Sequence, residues 1–164
     1  VDCLTLATLY TIRIIAGAAA VSLPVSFWLL AFSVFIFLSL ALVKRYAELT
    51  VMLQAGISAA HGRGYTVLDI PILQTFGVSA GYISALVMAL YLRSDDIVSL
   101  YVQPKVIWFV IPILLFWVSW VWLKATRGEM HDDPIVFAIK DKASLLSAGL
   151  AAVVLVYAAT GMGM

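Results

Sequence analysis

Five long apolar stretches, separated by shorter polar ones, constrain this chain more than any other feature. They run over about residues 3–23, 27–43, 72–92, 106–123 and 143–161. A bilayer core about 30 Å thick needs roughly 17 to 25 mostly apolar residues per helix, and each stretch meets that length. Inside hydrocarbon no water satisfies the peptide groups, so such a stretch must span as an α-helix. Composition agrees: 64% of the 164 residues are hydrophobic, 12% are charged, and the mean hydropathy is +1.08. A soluble domain carries about a quarter charged residues, and the few here could not cover a water-facing surface. The expected fold class is therefore an all-α integral membrane protein of five transmembrane helices, with no second domain visible in residues 1–164.

The boundaries follow from the residues between the stretches. Pro24 and Ser26 form a short turn, since proline disfavours continuing a helix and serine can cap the next one. A mixed segment with Gly56, Gly62 and Gly64 fills 44–69, a polar turn fills 93–104, and a charged loop is expected over 124–142. Gly77 and Gly81 make a GxxxG pair that allows close helix packing, read here as sealing an internal pair of helices. Trp108, Trp117, Trp120 and Trp122, with Tyr91 and Tyr101, partly match an interfacial aromatic belt, with Trp117 deep enough to be a packing residue.

Charge gives an orientation. Lys44, Arg45, Arg63, Lys124, Arg127, Lys140 and Lys142 fall on one side of the alternating helices, against Arg93 and Lys105 on the other. By the positive-inside rule both charged segments face the cytoplasm of a bacterial-type inner membrane. A net charge of +1 leaves no electrostatic footprint for nucleic acid. Cys3 alone cannot form an internal disulfide, no Cys/His cluster has zinc spacing, and Cys3 reads as an apolar lining residue. The chain opens Val1-Asp2 without a methionine or a basic n-region. No signal peptide is visible, and the natural protein is expected to start upstream.

Several polar groups need an explanation. Arg13 sits at mid-depth of the first helix, beside Tyr10, where a charge costs about 2.5–3.5 kcal/mol on insertion scales. It is either a snorkelling or acid-paired arginine or a phosphate ligand in an internal cavity shared with Lys44 and Arg45. The run Lys44-Arg45-Tyr46-Ala47-Glu48-Leu49 starts where the second helix leaves the membrane. If the helix continues, Lys44 and Glu48 share a face and Arg45 lies near Glu48; the plain reading is a basic anchor with a surface ion pair. In His61-Gly62-Arg63-Gly64-Tyr65, followed by Asp69, flexible glycines would let backbone N–H groups approach an anion. In Arg127-Gly128-Glu129-Met130-His131-Asp132-Asp133-Pro134, the adjacent Asp132 and Asp133 could ligate Mg²⁺, or Asp133-Pro134 could simply make a turn. Cations and carboxylates mixed over a hydrophobic bundle suit an amphiphile with a phosphate head and an apolar tail.

The runs Leu9-Tyr10-Thr11-Ile12-Arg13-Ile14-Ile15-Ala16-Gly17-Ala18 and Lys44-Arg45-Tyr46-Ala47-Glu48-Leu49 resemble the UbiA superfamily of intramembrane prenyltransferases. The branch they are most similar to contains decaprenyl-phosphate phosphoribosyltransferase. Arg63-Gly64-Tyr65 with Asp69, and Arg127-Gly128 with Asp132-Asp133-Pro134, look like the same branch. The resemblance implies a nine-helix bundle of which this chain is the C-terminal half, with Lys44 to Glu48 at the family's second polar motif. The family's first acidic motif, which binds Mg²⁺-diphosphate, is absent from these residues, so the main Mg²⁺ ligands are expected outside this chain. The second motif presents Lys44 and Arg45 where aromatic prenyltransferases present aspartates, which favours transfer of phosphoribose from phosphoribosyl diphosphate to a polyprenyl phosphate. On that reading Lys44, Arg45 and Glu48 are catalytic. Arg13, Tyr10, Tyr46, Arg63, Tyr65, Asp69 and Arg127 bind or orient phosphate, with Asp69 supporting Arg63. Aromatic prenylation, or a non-catalytic half-bundle serving a larger membrane assembly, remains the alternative; a transporter is a weaker one, with no inverted repeats to support it.

Overall fold

The second helix sets the frame. In the computed structural model, which describes residues 2–20, 26–56, 64–94, 101–130 and 133–161, it runs unbroken as α2 from Phe27–Gln54. Its 28 residues are about 42 Å long at 1.5 Å per residue, which overshoots a bilayer core. The sequence expectation ended this helix near 43; it continues because Lys44, Arg45, Ala47, Glu48 and Leu49 are all good helix formers. Ser26 occupies the N-cap but its side chain makes no capping bond, so the expected serine cap is absent.

Around α2 stand α1 (Asp2–Ala20), α3 (Ile70–Leu92), the short α4 (Pro104–Ile107), α5 (Val110–Thr126), α6 (Pro134–Lys140) and α7 (Lys142–Thr160). No β-strand occurs among the described residues. Five helical segments are long and apolar enough to cross a membrane: Asp2–Ala20, Phe27–Gln54, Val67–Leu92, Val106–Thr126 and Lys142–Thr160. The fold is thus all-helical, and the chain is a multi-pass membrane protein by length and composition. α2 packs against α1, α3, α5 and α6, and α7 packs against α4, α5 and α6.

Two elements differ from the sequence reading. The fourth helix is stepped at Trp108 and Phe109, because Pro112 has no N–H to give the Trp108 carbonyl; Ile111 N–H bonds that carbonyl instead, at 3.1 Å. The charged loop over 124–142 contains α6, started by Asp133, whose side chain accepts the Ile135 N–H at 3.1 Å, with Pro134 at its first position. Asp141 caps α7 in the same way, accepting the Ser144 N–H at 2.8 Å. Although burial alone would raise it, that bond and others from the Ser144 hydroxyl and Trp120 hold the Asp141 carboxyl below its ordinary value.

The core is knotted where α2, α3 and α5 meet. The Trp122 indole N–H donates to Ser39 Oγ at 3.1 Å, and Ser39 Oγ–H donates to the Gly77 carbonyl at 2.7 Å. A Cβ on Gly77 would stand 2.0 Å from Trp122 Cζ2, and one on Gly81 would stand 2.5 Å from Val118 Cγ1. GxxxG therefore seals an internal junction, as expected. Trp117 and Trp120 tie α5 to the start of α7, donating to Ser144 Oγ at 3.1 Å and Asp141 Oδ2 at 3.0 Å. Trp117 is thus a packing residue as read, Trp120 and Trp122, read as belt residues, are also helix-joining donors, and Trp108 is exposed.

Replacing Gly77 with alanine should destabilise the bundle by at least the 1–3 kcal/mol typical of overpacking. Gly149→Ala, where a Cβ meets nothing within 4 Å, should be neutral or slightly stabilising. Thermal unfolding of the detergent-purified protein checks both; equal midpoints for the two variants would contradict the packed junction.

Candidate functional site

The last turns of α2 gather the polar groups of the chain at one end of the bundle. Arg45 faces inward and is 2% exposed. Its guanidinium is held between Asp2 at the start of α1 and Glu48 one turn on, and it lies 5.7 Å from the Tyr65 ring centroid. The Tyr65 hydroxyl in turn donates to Cys3 Sγ at 3.7 Å. Burial, with that bond to Cys3, pushes the Tyr65 phenol above its ordinary value, so it stays protonated. Arg45 Nε is buried without a hydrogen-bond partner.

Lys44, one residue earlier, points the other way. Its ammonium donates to Asp133 Oδ2 at 2.7 Å, joining α2 to the cap of α6 across 89 residues of sequence. Burial alone would raise the Asp133 carboxyl; the bonds from Lys44 and from the Ile135 N–H outweigh it and hold the group below its ordinary value. Lys44 and Arg45 therefore sit among three carboxylates, those of Asp2, Glu48 and Asp133. Each cation is already paired; Arg45 is enclosed by its partners, whereas Lys44 remains part-exposed with donors beyond the one given to Asp133.

Two grooves open beside this cluster. Lys44, Glu48 and Asp133 line one of about 530 Å³, whose remaining wall is Ala47, Val51, Met52 and Met130. The other, about 430 Å³, runs between α1 and α3 over Leu4, Leu38, Leu42, Ile72 and Phe76, with Tyr65 and Asp69 among its lining. One groove is polar along an apolar floor; the other is mainly apolar. Their combination matches the chemistry of a charged head on a long hydrocarbon tail.

The structure redistributes the expected site residues. Lys44, Glu48 and Asp133 share a groove, while Arg45 lies inside the bundle beside Tyr65, which lines the other groove. Tyr46 does not join them: it is buried and packs edge-on against Trp122, 5.8 Å between centroids, so it is a core residue. Arg13 is exposed on α1 with its guanidinium over the Tyr10 ring at 5.3 Å, and among the described residues it lines neither the groove nor the small recess that Lys44 lines. The antiparallel pairing of α1 with α2 explains this, since Tyr10 stacks on Phe37, two turns of α2 before Lys44. Tyr10 itself does line a small recess together with Lys44 and Asp133. Asp69 accepts from the Thr66 N–H at 2.8 Å and hydroxyl at 3.1 Å, closing the turn before α3. Arg127 is exposed at the end of α5. Arg63, His61, His131 and Asp132 lie outside the described residues.

Of the two aspartates expected to ligate Mg²⁺, Asp132 lies outside the described residues. No group of three or more His, Cys, Asp or Glu side chains among the described residues could hold a metal. Asp133, the other expected ligand, instead caps a helix and binds Lys44, and Asp69 is taken by Thr66. Asp2 was missed at the sequence level, as was its bond to Arg45. Only the antiparallel return of α2 along α1 brings residues 43 apart together, and no local spacing signals it.

Two curated proteins are similar to this chain. It is 35% identical over 145 residues to nodulation protein NoeC of Azorhizobium caulinodans, covering 88% of this chain and 47% of that protein. It is 37% identical over 145 residues to the uncharacterized protein y4nM of Sinorhizobium fredii, covering 87% of this chain and 28% of that one. The chain thus spans about half the length of the first relative and little over a quarter of the second. No family model matches, and no solved structure matches.

Asp133→Asn should keep the cap of α6, since asparagine caps as well as aspartate, while losing the charge that holds Lys44. Amide exchange over 133–140 should then quicken by between about two- and fivefold at neutral pH, the range for a part-exposed ion pair. The depressed Asp133 pKa sets the sign of the pH effect: the tie holds above the ordinary carboxylate range and is lost as pH falls through the folded value. Wild type should approach the variant's exchange only in acid; identical exchange at neutral pH would show that the tie contributes nothing.

Proposed function

We propose that this chain forms the second half of a UbiA-type intramembrane transferase, and that it helps move phosphoribose from phosphoribosyl diphosphate onto a polyprenyl phosphate. The observation that carries the reading is the groove in which Lys44, Glu48 and Asp133 meet over an apolar wall at one end of five membrane-length helices. A sugar phosphate asks for that mixture: an ammonium for phosphate oxygens and carboxylates to accept from ribose hydroxyls. The apolar groove between α1 and α3 supports the same reading, because it offers a prenyl tail a path beside the polar end. Relatives about twice as long or longer leave room for the acidic motif that these residues lack. The polar end is proposed to face the cytoplasm, where the phosphorylated sugar is made.

In this reaction the C1–O bond to diphosphate breaks and a C1–O bond to the lipid phosphate forms, the diphosphate leaving with the bonding pair. Lys44 moves from Asp133 onto a phosphate oxygen, and the released Asp133 accepts a hydroxyl proton bond. Arg45 is too buried to touch substrate and acts as a positioning residue, fixing Glu48 and Asp2. No metal-borne step is assigned to this chain's residues.

One observation favours a second reading, a non-catalytic half-bundle within a larger membrane assembly: both cations of the cluster are already paired with carboxylates. The assay separates the two. In membranes containing the full-length protein, Lys44→Ala should lower phosphoribosyl transfer roughly a hundredfold, the loss of one charge-assisted contact in the transition state, at unchanged expression. Arg45→Ala should instead lower the yield of folded protein, because it empties a buried position and removes the tie from α2 to the start of α1. Near-normal transfer by Lys44→Ala would leave Lys44 a structural tie to α6, and activity only with an aromatic acceptor and a prenyl diphosphate would remove the phosphoribosyl assignment.

A further inference from the structure

α1 carries a charge deep in the membrane with no acidic partner among the described residues. Arg13 lies eleven residues from Asp2 and seven from Ala20 within α1, about 16 Å and 10 Å along the helix, so it sits well inside the span. Its guanidinium lies over the Tyr10 ring at 5.3 Å, one turn back in the direction helix side chains favour, and Tyr10 is itself braced by stacking on Phe37 at 5.2 Å. The cation is thus held at depth, on a side chain exposed outside the five-helix unit.

The surface around it is shaped for contact. One turn on from Arg13 are the exposed Ala16 and Gly17, and one turn before is the exposed Leu9. A Cβ on Gly17 would meet nothing within 4 Å, whereas Gly77 and Gly81 are demanded by Trp122 and Val118. Gly17 costs about 1 kcal/mol of helix propensity without serving any packing in the described residues. A second copy placed symmetrically here would bring Arg13 against Arg13, and lipid would leave the charge unneutralised at a cost of several kcal/mol.

We propose that the α1 face bearing Leu9, Arg13, Ala16 and Gly17 seats a further transmembrane helix, from a longer polypeptide of the length its relatives have, and that this helix presents a carboxylate to Arg13. The proposal is independent of the transferase reading and holds for any activity. Small residues let the two backbones approach, and a carboxylate at the same depth converts the exposed cation into a hydrogen-bonded ion pair.

The test uses the full-length protein in membranes, with Cys3→Ala removing the native thiol and nitroxides attached at Leu9→Cys, Ala16→Cys or Leu86→Cys. Leu86 on α3 is 61% exposed and serves as the lipid-facing reference. Collision with dissolved oxygen should be several-fold lower at positions 9 and 16 than at 86. Equal collision rates would place α1 against lipid and overturn the proposal, and dipolar coupling between labels on separate molecules would make the occupant a second copy instead. Independently, Arg13→Glu should reduce folded protein at least tenfold, Arg13→Lys should stay near wild type, and one acid-to-lysine change outside residues 1–164 should restore Arg13→Glu. Low oxygen access with no such restoring acid would overturn the carboxylate.

Discussion

Hydrocarbon tolerates a polar group only when that group already has a partner, and the arrangement of this protein follows from that demand. Hydroxyls within the spans are turned onto their own helix: Thr11 onto the Ala7 carbonyl, Ser33 onto Leu29, Ser84 onto Gly81. Others join helices: the Tyr82 and Ser119 hydroxyls meet across α3 and α5 at 3.0 Å, and Ser39 takes the Trp122 N–H and gives its proton to Gly77 across α2, α3 and α5. Its position forces glycine at 77, because nothing larger fits between the indole and the backbone of α3. Most of the charges are pushed to the helix ends, and at one end they condense into a single cluster. There α2 overshoots the membrane and meets the start of α1 and the cap of α6.

The cluster accounts for what each charged residue can do. Arg45 is sequestered, with its guanidinium spent on Asp2 and Glu48, and acts by fixing them. Lys44 is 42% exposed at its side chain and tied to a carboxylate that also starts a helix, so it is the cation a ligand can reach. Asp133 joins Lys44 to the start of α6, so an anion that competes with Asp133 for Lys44 also acts on that helix. That coupling suits a site that must admit a phosphorylated sugar from water while keeping an apolar groove closed to it, the chemistry proposed for this end of the bundle.

How much of this was legible in the sequence depended on the range of the signal. The number of spans, the internal role of Gly77 and Gly81, and the i,i+3 relation of Arg45 to Glu48 rest on short-range patterns and emerge as read, while the second span runs past its expected end at 43 to Gln54. The step at Trp108 and Phe109 was available too, since Pro112 announces a missing donor, but a hydropathy profile smooths over it. The partners of Lys44 and Arg45 were not legible. Asp133 and Asp2 reach them only through tertiary return of the chain, and both aspartates had plainer local readings, as a turn residue and as the second residue of the chain. Tyr46 was misread for a similar reason: it follows two charges in the sequence, yet the helical turn carries it to the opposite face, against Trp122. Arg13 was rightly marked as costly, but its side chain lies on the outside of these five helices and not in a cavity within them.

The claim on which the account rests is that the end of α2 and the end of α5 emerge together on one face of the membrane, where the polar cluster is built. It is tested most directly by placing single cysteines at Gln54, Glu129 and Ser94 in a Cys3→Ala background. An impermeant thiol reagent is then applied to intact cells and to inverted vesicles. Positions 54 and 129 should label from the same side and 94 from the opposite one, with 94 the position reached from outside the cell. Labelling of 54 and 129 from opposite sides, or of 94 together with either, would contradict the five-span arrangement and dissolve the cluster as a site.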